Sequence, residues 1–172
     1  MSEPALPPTF DALYEQHFGY VVSSLRRLGV QTADLEDVSH ELFVTVLQKL
    51  GDFDPERPVR PWLFGFAFRV ASNYRRRTVQ RREVPPDSSR ELVSNSLGPD
   101  DMLAGTQARD RLAAALDTID LDQRAVFVLH EIDELGVPEI AETLQIPLNT
   151  AYSRLRLARR ALERLLEGER SA

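Results

Sequence analysis

A chain of 172 residues, of which 42% are hydrophobic and 28% are charged, has the composition of a globular protein with one medium domain or two small ones. It contains no cysteine, which excludes a disulfide framework, a thiolate metal site and a cysteine nucleophile. Its apolar runs fall short of the roughly 18 residues that a membrane span needs, and its N-terminus lacks the basic-then-apolar order of a signal peptide, so we expect a cytoplasmic protein.

Three helices are predicted in the first half of the chain. The first spans about residues 10–28, and the second extends from a cap at Thr32 or Asp34 to Gly51. The third opens at Pro61, after a proline-broken loop. Apolar residues recur along each of them with a helical period, and strand signals are nearly absent.

A linker separates the two halves. Helical periodicity disappears over residues 83–100, which are acidic and rich in Pro, Ser and Gly. Beyond the linker we predict a helix over about residues 101–118 and a further helix with a capping-box pattern at Asp120. The chain is therefore expected to be all-α, with a first domain over residues 1–82, a flexible acidic linker, and a second domain over residues 101–172.

Residues 136–168 have the pattern of a helix-turn-helix. A short helix with Pro138 in its first turn ends before Pro147, because proline disfavours helical backbone in the residue that precedes it. A second helix restarts near Leu148 and buries apolar residues at steps of four and three. In such a motif the second helix lies in the major groove, where its side chains reach base edges and phosphates.

The face of this second helix that cannot be core is polar and basic. Solvation alone would explain a charged outer face, but the excess here has one sign, and arginine pairs bidentately with phosphate or guanine. We expect one arginine to read a base, four polar residues to lie near base edges, and further arginines to lie nearer phosphates. The candidate for base reading is Arg154. The candidates near base edges are Asn149, Thr150, Tyr152 and Ser153, and those nearer phosphates are Arg156, Arg159 and Arg160.

The charge of the chain is segregated, although its net value is −6. Residues 34–56 are strongly acidic, whereas residues 60–82 contain seven arginines and no acidic residue. Aromatic rings interleave with these arginines. The rings either close a three-helix core or stack with the bases of single-stranded nucleic acid. In the second case the arginines would bind the phosphates of that strand. The candidate residues for this contact are Trp62, Phe64, Phe68, Arg69, Asn73, Arg76 and Arg77.

Three motifs, in this order, resemble the extracytoplasmic-function (ECF) sigma factors of the sigma-70 family. Residues 34–50, DLEDVSHELFVTVLQKL, are similar to the helix that docks on the clamp helices of the largest polymerase subunit. Residues 60–77, RPWLFGFAFRVASNYRRR, resemble the helix that melts and reads the −10 element. Residues 137–162, VPEIAETLQIPLNTAYSRLRLARRAL, resemble the helix-turn-helix that reads the −35 element. The resemblance covers nearly the whole chain.

The resemblance implies a promoter-specificity subunit that binds core RNA polymerase and promoter DNA and is controlled by an anti-sigma factor. It implies no cofactor, no metal ion and no small-molecule substrate. The polymerase-binding residues that it implies are Asp37, Glu41, Leu42 and Phe43.

This chain departs from the family pattern at five positions. Tyr152 stands where a basic residue is common, and His40 replaces the usual Gln of the clamp-binding helix. Arg69 and Asn73 stand where the family usually has Asn and Asp, and Gln145 stands where the turn of the helix-turn-helix usually has glycine. A residue other than glycine in left-handed backbone costs on the order of 1–2 kcal/mol, so we expect the turn to adjust.

Two other functions stay open from the sequence. A sigma mimic that only titrates an anti-sigma factor would not need arginines on both DNA faces. An ordinary helix-turn-helix regulator would leave the docking helix and the basic aromatic helix without a purpose. An enzyme is not expected, because His17, His40 and His130 lack metal-ligand spacing and no Gly-rich phosphate loop is present.

Overall fold

The computed structural model describes residues 8–83 and 111–170, and every regular element in these ranges is helical. The helices are α1 (Phe10–Arg27), α2 (Leu35–Lys49), α3 (Val59–Glu83), α4 (residues 111–117), α5 (Leu121–Glu131), α6 (Val137–Leu144) and α7 (Leu148–Arg170). This architecture confirms the predicted all-α fold that ends in a helix-turn-helix. The predicted linker beyond residue 83 and the start of the helix predicted over residues 101–118 lie outside the described residues.

Helices α1, α2 and α3 pack against one another as a three-helix bundle. Their apolar stripes meet in a core that includes Leu25 of α1, Leu42 of α2 and Leu63 of α3, each with no exposed surface. A polar contact fixes the helices in register, because the Tyr74 hydroxyl of α3 donates a hydrogen bond to Asp34 Oδ2, 2.6 Å away, at the start of α2.

Capping residues and backbone conformation explain where α1 begins and ends and where α3 begins. Thr9 caps α1 by accepting a hydrogen bond from the Ala12 N–H, and Gly29 follows α1 with a φ of 92°, a backbone conformation that glycine adopts without strain. Helix α3 begins two residues earlier than predicted, at Val59. Pro61 is tolerated there because the first N–H groups of a helix have no intrahelical acceptor.

Helices α4 to α7 form the second half of the described structure. The predicted cap at Asp120 is confirmed, since its carboxylate accepts a hydrogen bond from the Asp122 N–H at 3.0 Å. Helix α7 packs against both α5 and α6, and Leu129, Ile140 and Ala151 lie at the centre of these contacts with no exposed surface. The two halves also touch, because α5 and α6 pack against α3.

Candidate nucleic-acid interface

The helix-turn-helix consists of α6 and α7 joined by a left-handed turn. At the start of α6, the Gly136 N–H donates to Glu139 Oε2 at 2.9 Å. At its end, Gln145 adopts a φ of 55° and a ψ of 47°, and the Ile146 N–H donates to the Ala141 carbonyl at 2.9 Å. The turn therefore keeps the left-handed geometry that glycine usually supplies, which corrects the expectation that it adjusts, and Gln145 carries the strain of about 1–2 kcal/mol.

Helix α7 has one apolar face and one polar face. Ala151, Leu155 and Ala158 are buried, as their spacing predicts. Leu165 continues the same spacing, for which burial is expected, but it is 37% exposed. The exposed polar residues on the opposite side are Asn149, Tyr152, Ser153, Arg156 and Arg160. Thr150 is partly buried at the edge of this face.

Two of the predicted DNA-binding arginines are held by helix α5. Arg154 Nη2 lies 2.6 Å from Asp122 Oδ2, and the Arg154 side chain is only 24% exposed. Arg159 contacts Glu131 Oε1 through Nε at 2.9 Å and Nη2 at 2.6 Å. These pairs fix α7 on α5, a positioning role that the sequence pattern did not reveal.

A cleft of about 640 Å³ opens beside the polar face of α7. His130 of α5 lies in its lining, and its Nδ1 is 2.9 Å from the Leu135 carbonyl oxygen. Tyr152, Arg156 and Arg160 of α7 complete its polar rim. A concave basic surface beside an exposed helix face can accommodate a phosphate backbone.

The aromatic residues of α3 divide between core and surface. Phe64 has no exposed surface, so it fills the core and is not available to bases; this corrects its prediction as a DNA-binding residue. Trp62 is partly buried and packs between Phe53 and Phe66, with ring centroids 4.8 Å and 4.9 Å apart. Phe68 is partly exposed, so part of its ring lies at the surface of the basic helix and is open to contact with a base.

The polar residues predicted on α3 lie near one another. Arg69 is exposed, and its guanidinium carbon lies 5.5 Å from the centre of the Phe66 ring. Arg76 donates a hydrogen bond to Asn73 Oδ1. Arg77 donates two hydrogen bonds of 3.2 Å to the Glu41 carboxylate, which joins α3 to α2. The exposed part of α3 is therefore basic, with Arg77 partly neutralised.

Two of the four polymerase-binding residues predicted on helix α2 are buried. Leu42 and Phe43 are buried, and Phe43 lies in an aromatic cluster 4.7 Å from the Tyr14 ring centre, so neither residue can meet a partner without unfolding. This corrects both predictions. Asp37 and Glu41 are exposed as predicted. Val44 and Leu47, which the prediction missed, are 56% and 53% exposed. Their position off the apolar stripe of α2 was the signal in the sequence.

Comparison with family models identifies the chain. A model described as Sigma-70 region 2 matches residues 13–82, and one described as Sigma-70, region 4 matches residues 109–162. The chain belongs to the sigma-70 family. Helix α2 and all of α3 except Glu83 lie within region 2, and α6 and most of α7 lie within region 4.

Named relatives include ECF sigma factors. The chain is 29% identical to the RNA polymerase sigma factor CnrH of Cupriavidus metallidurans over 93% of this chain and 87% of the relative. It is 25% identical to the ECF RNA polymerase sigma-E factor of Escherichia coli, over 85% of this chain and 81% of that protein.

Two solved structures are similar. CnrH in complex with the cytosolic domain of CnrY covers 92% of this chain and 88% of its own, at a TM-score of 0.66 and 28% identity. The sigma factor RpoE of Bartonella quintana, in complex with the anti-sigma factor NepR, covers 90% of this chain and 96% of its own, at a TM-score of 0.60. Its identity is 22%, so the second likeness supports the fold alone.

The sigma-70 family consists of transcription initiation factors, which are not known as enzymes. Among the described residues, no group of three or more His, Asp or Glu side chains could hold a metal ion. In the same ranges, no helix has both the length and the apolar character to cross a membrane.

Proposed function

We propose that this chain is an ECF sigma factor that binds core RNA polymerase, recognises −35 and −10 promoter elements and promotes strand opening. One observation carries the proposal: a region 2 with an exposed basic helix precedes a region 4 with an exposed recognition face. The polymerase supplies the chemistry, and this chain supplies promoter selection. It acts where polymerase and DNA are, in the cytoplasm. Its functional units are residues 1–82 and 101–172, with residues 83–100 as linker.

For the −35 element, the exposed face of α7 enters the major groove. The candidates for base edges on that face are Asn149, Tyr152, Ser153 and Arg156, with the partly buried Thr150 at its edge. Arg160 lies one turn further along and meets phosphate. Arg154 and Arg159 act mainly through α5, because their guanidinium groups are already paired with carboxylates.

For the −10 element, the proposed surface is the exposed side of α3. Arg69, Asn73 and Arg76 contact the backbone and bases of the melted strand, and Phe68 offers a ring for stacking. Trp62 contributes through the part of its ring that is not covered. Arg77 can join only if its pair with Glu41 exchanges for phosphate.

For polymerase binding, the proposed surface combines Asp37 and Glu41 with the exposed Val44 and Leu47 of α2. A surface with apolar residues at its centre and charges at its border has the composition of a protein interface. We also propose control by an anti-sigma factor, since the structural relative CnrH was solved in complex with the cytosolic domain of CnrY, a protein of that kind.

In-vitro transcription with core polymerase tests the proposal. Purified chain added to core polymerase should give transcripts from a matched promoter and none from a scrambled −35 or −10 element. Asp37→Lys combined with Leu47→Ser should reduce polymerase binding and leave the helical circular dichroism unchanged. A chain that never directs transcription but binds an anti-sigma factor would be the mimic instead.

A further inference from the structure

The cleft beside α7 contains a titratable side chain that the proposed −35 contacts do not use. This side chain is His130, which lies near the C-terminal end of α5 and is partly exposed. Its Nδ1 lies 2.9 Å from the carbonyl oxygen of Leu135, in the turn between α5 and α6. Because a carbonyl oxygen can only accept, Nδ1 carries the hydrogen of this bond.

The contact with Leu135 determines what the other ring nitrogen of His130 can do. In the neutral ring Nε2 is a bare acceptor, and in the protonated ring it becomes a donor that carries positive charge. Among the described residues the ring forms no second hydrogen bond, and Nε2 is not enclosed. Histidine changes its charge between about pH 5 and about pH 8, so the donor appears and disappears within the physiological range.

The cleft has an apolar floor and a basic rim. Val137 of α6 and Leu155 of α7 are buried and form the floor. Arg156 and Arg160 are exposed at the rim, and neither forms an ion pair with another described residue. Two guanidinium groups and one imidazole therefore line the same space. The ligand that matches such donors is an anion with several acceptor oxygens, as a phosphate group is.

Charges of both signs surround the imidazole. The titratable and charged groups of the cleft and of the elements that pack against α5 are Tyr152, Arg156, Arg159, Arg160 and Glu163 of α7, Glu139 of α6, Glu131, Asp133 and Glu134 beside the ring in sequence, and Arg75 of α3 near Arg124. Asp133 is engaged elsewhere, since it accepts a hydrogen bond of 2.6 Å from the Tyr20 hydroxyl. Arg156 and Arg160 outweigh Glu163 at the rim, which therefore attracts an anion even while the ring is neutral.

The cleft lies where the DNA backbone passes in the proposed complex. Asn149, Ser153 and Arg156 are exposed on the face of α7 that enters the major groove, and a helix in that groove has a sugar–phosphate strand along each flank. His130 and Arg160 line one such flank. A phosphate oxygen there accepts from Arg160 at any pH, but it accepts from His130 Nε2 only when the ring is protonated.

We propose that His130 is a proton-linked phosphate contact of the −35 interface. The protonated ring donates from Nε2 to a phosphate of the −35 element, whereas the neutral ring turns a lone pair towards the same oxygen and repels it. Binding and protonation favour each other by the same amount of free energy. Binding of the −35 element therefore takes up a proton and becomes stronger as pH falls. The inference rests on the proposed function, because it deepens the −35 contact of that function.

Promoter binding by holoenzyme across pH tests the contact. Kd is measured for duplexes with matched and scrambled −35 elements, between about pH 5.5 and about pH 8 at constant ionic strength. With the wild-type chain, the Kd of the matched duplex should fall about ten-fold towards low pH, the effect of one added charge-assisted hydrogen bond. His130→Arg should bind at high pH as tightly as the wild type at low pH, and His130→Gln should stay weak throughout. Both variants should lose the pH dependence.

A matched control removes a histidine in the other half of the structure. His17→Gln alters α1 and should keep the full pH dependence of binding. Circular dichroism of each variant checks that the helices persist without the contact between His130 and Leu135. An unchanged pH dependence in folded His130→Arg and His130→Gln would overturn the proposal. A wild-type holoenzyme that does not distinguish matched from scrambled duplex at any pH would refute the proposed function, and this contact with it.

A second measurement locates the phosphate. One neutral methylphosphonate is placed at each position of the −35 backbone in turn, and binding is measured across salt at both ends of the pH range. With the unmodified duplex, the slope of log K against log[salt] should be steeper by about one at low pH, because one more phosphate is neutralised. At one position the methylphosphonate should abolish this difference, as His130→Gln does with the unmodified duplex. If His130 only holds the turn through Leu135, no such position exists, and that result refutes the proposal.

Discussion

Replacement of Arg154 and of Arg156 by alanine should separate the positioning of the recognition helix from the reading of bases. Arg156 is exposed on the polar face of α7, whereas Arg154 is 24% exposed and paired with an Asp122 side chain that is 45% exposed. The two arginines are two residues apart, so they differ in orientation far more than in position along the helix. Their variants should therefore fail in different assays.

The expected magnitudes follow from these environments. An exposed ion pair contributes about 0.2–1 kcal/mol, and removal of one partner of a buried pair costs about 3–5 kcal/mol. The Arg154 pair lies between these limits, so Arg154→Ala should cost about 1–2 kcal/mol of stability, which lowers the Tm of a small domain by several degrees. Arg156→Ala should change stability by less than about 0.5 kcal/mol.

DNA binding should show the opposite order. Arg156→Ala should lose about 1–3 kcal/mol of discrimination between matched and scrambled −35 sequences, and Arg160→Ala should weaken both equally and reduce the salt slope by about one. The assay is equilibrium binding of holoenzyme to both DNAs across a salt series, with Tm measured on the same samples. If folded Arg154→Ala loses sequence preference and Arg156→Ala keeps it, Arg154 reads the base and the assignment made from the structure is wrong.

Three further outcomes are expected. Phe64→Ala should cost about 3–5 kcal/mol of stability because the ring is fully buried. Phe68→Ala should mainly impair promoter opening, and its activity should recover on a template with a pre-melted −10 bubble. A folding defect in Phe68→Ala without that recovery would assign the ring to the core. Gln145→Gly should raise stability by up to about 1 kcal/mol in thermal unfolding, since glycine adopts the left-handed backbone at φ 55° without strain, and a lower Tm would contradict this account of the turn. Burial, followed by the charge of Arg60, lowers the pKa of His17. The unfolded chain therefore binds the proton first as pH falls, and the free energy of unfolding should decline below about pH 6.5. His17→Gln should flatten that decline, and an unchanged pH profile would show that His17 is not its source.

The sequence by itself determined the helices, the family and the order of the two DNA-binding elements. Periodicity and capping are local properties, so the start of α7 at Leu148 and the cap at Asp120 could be predicted from neighbouring residues. The expected adjustment of the turn at Gln145 was wrong, because the contacts of the two helices hold this residue in left-handed backbone at a φ of 55°. The exposure of Val44 and Leu47 could also have been predicted from the sequence, because the spacing alone places both residues off the apolar stripe of α2.

Only the tertiary structure decided which side chains are free to act. Phe43 and Phe64 have the residue type and spacing of contact residues, yet they are buried because each helix of a three-helix bundle packs against two neighbours and therefore buries more than one stripe. The partner of Arg154 lies 32 residues away in sequence, and that of Tyr20 lies 113 residues away. Such pairs depend on how separate helices are brought together, which no local pattern encodes, and they decide whether an arginine meets DNA or holds the fold.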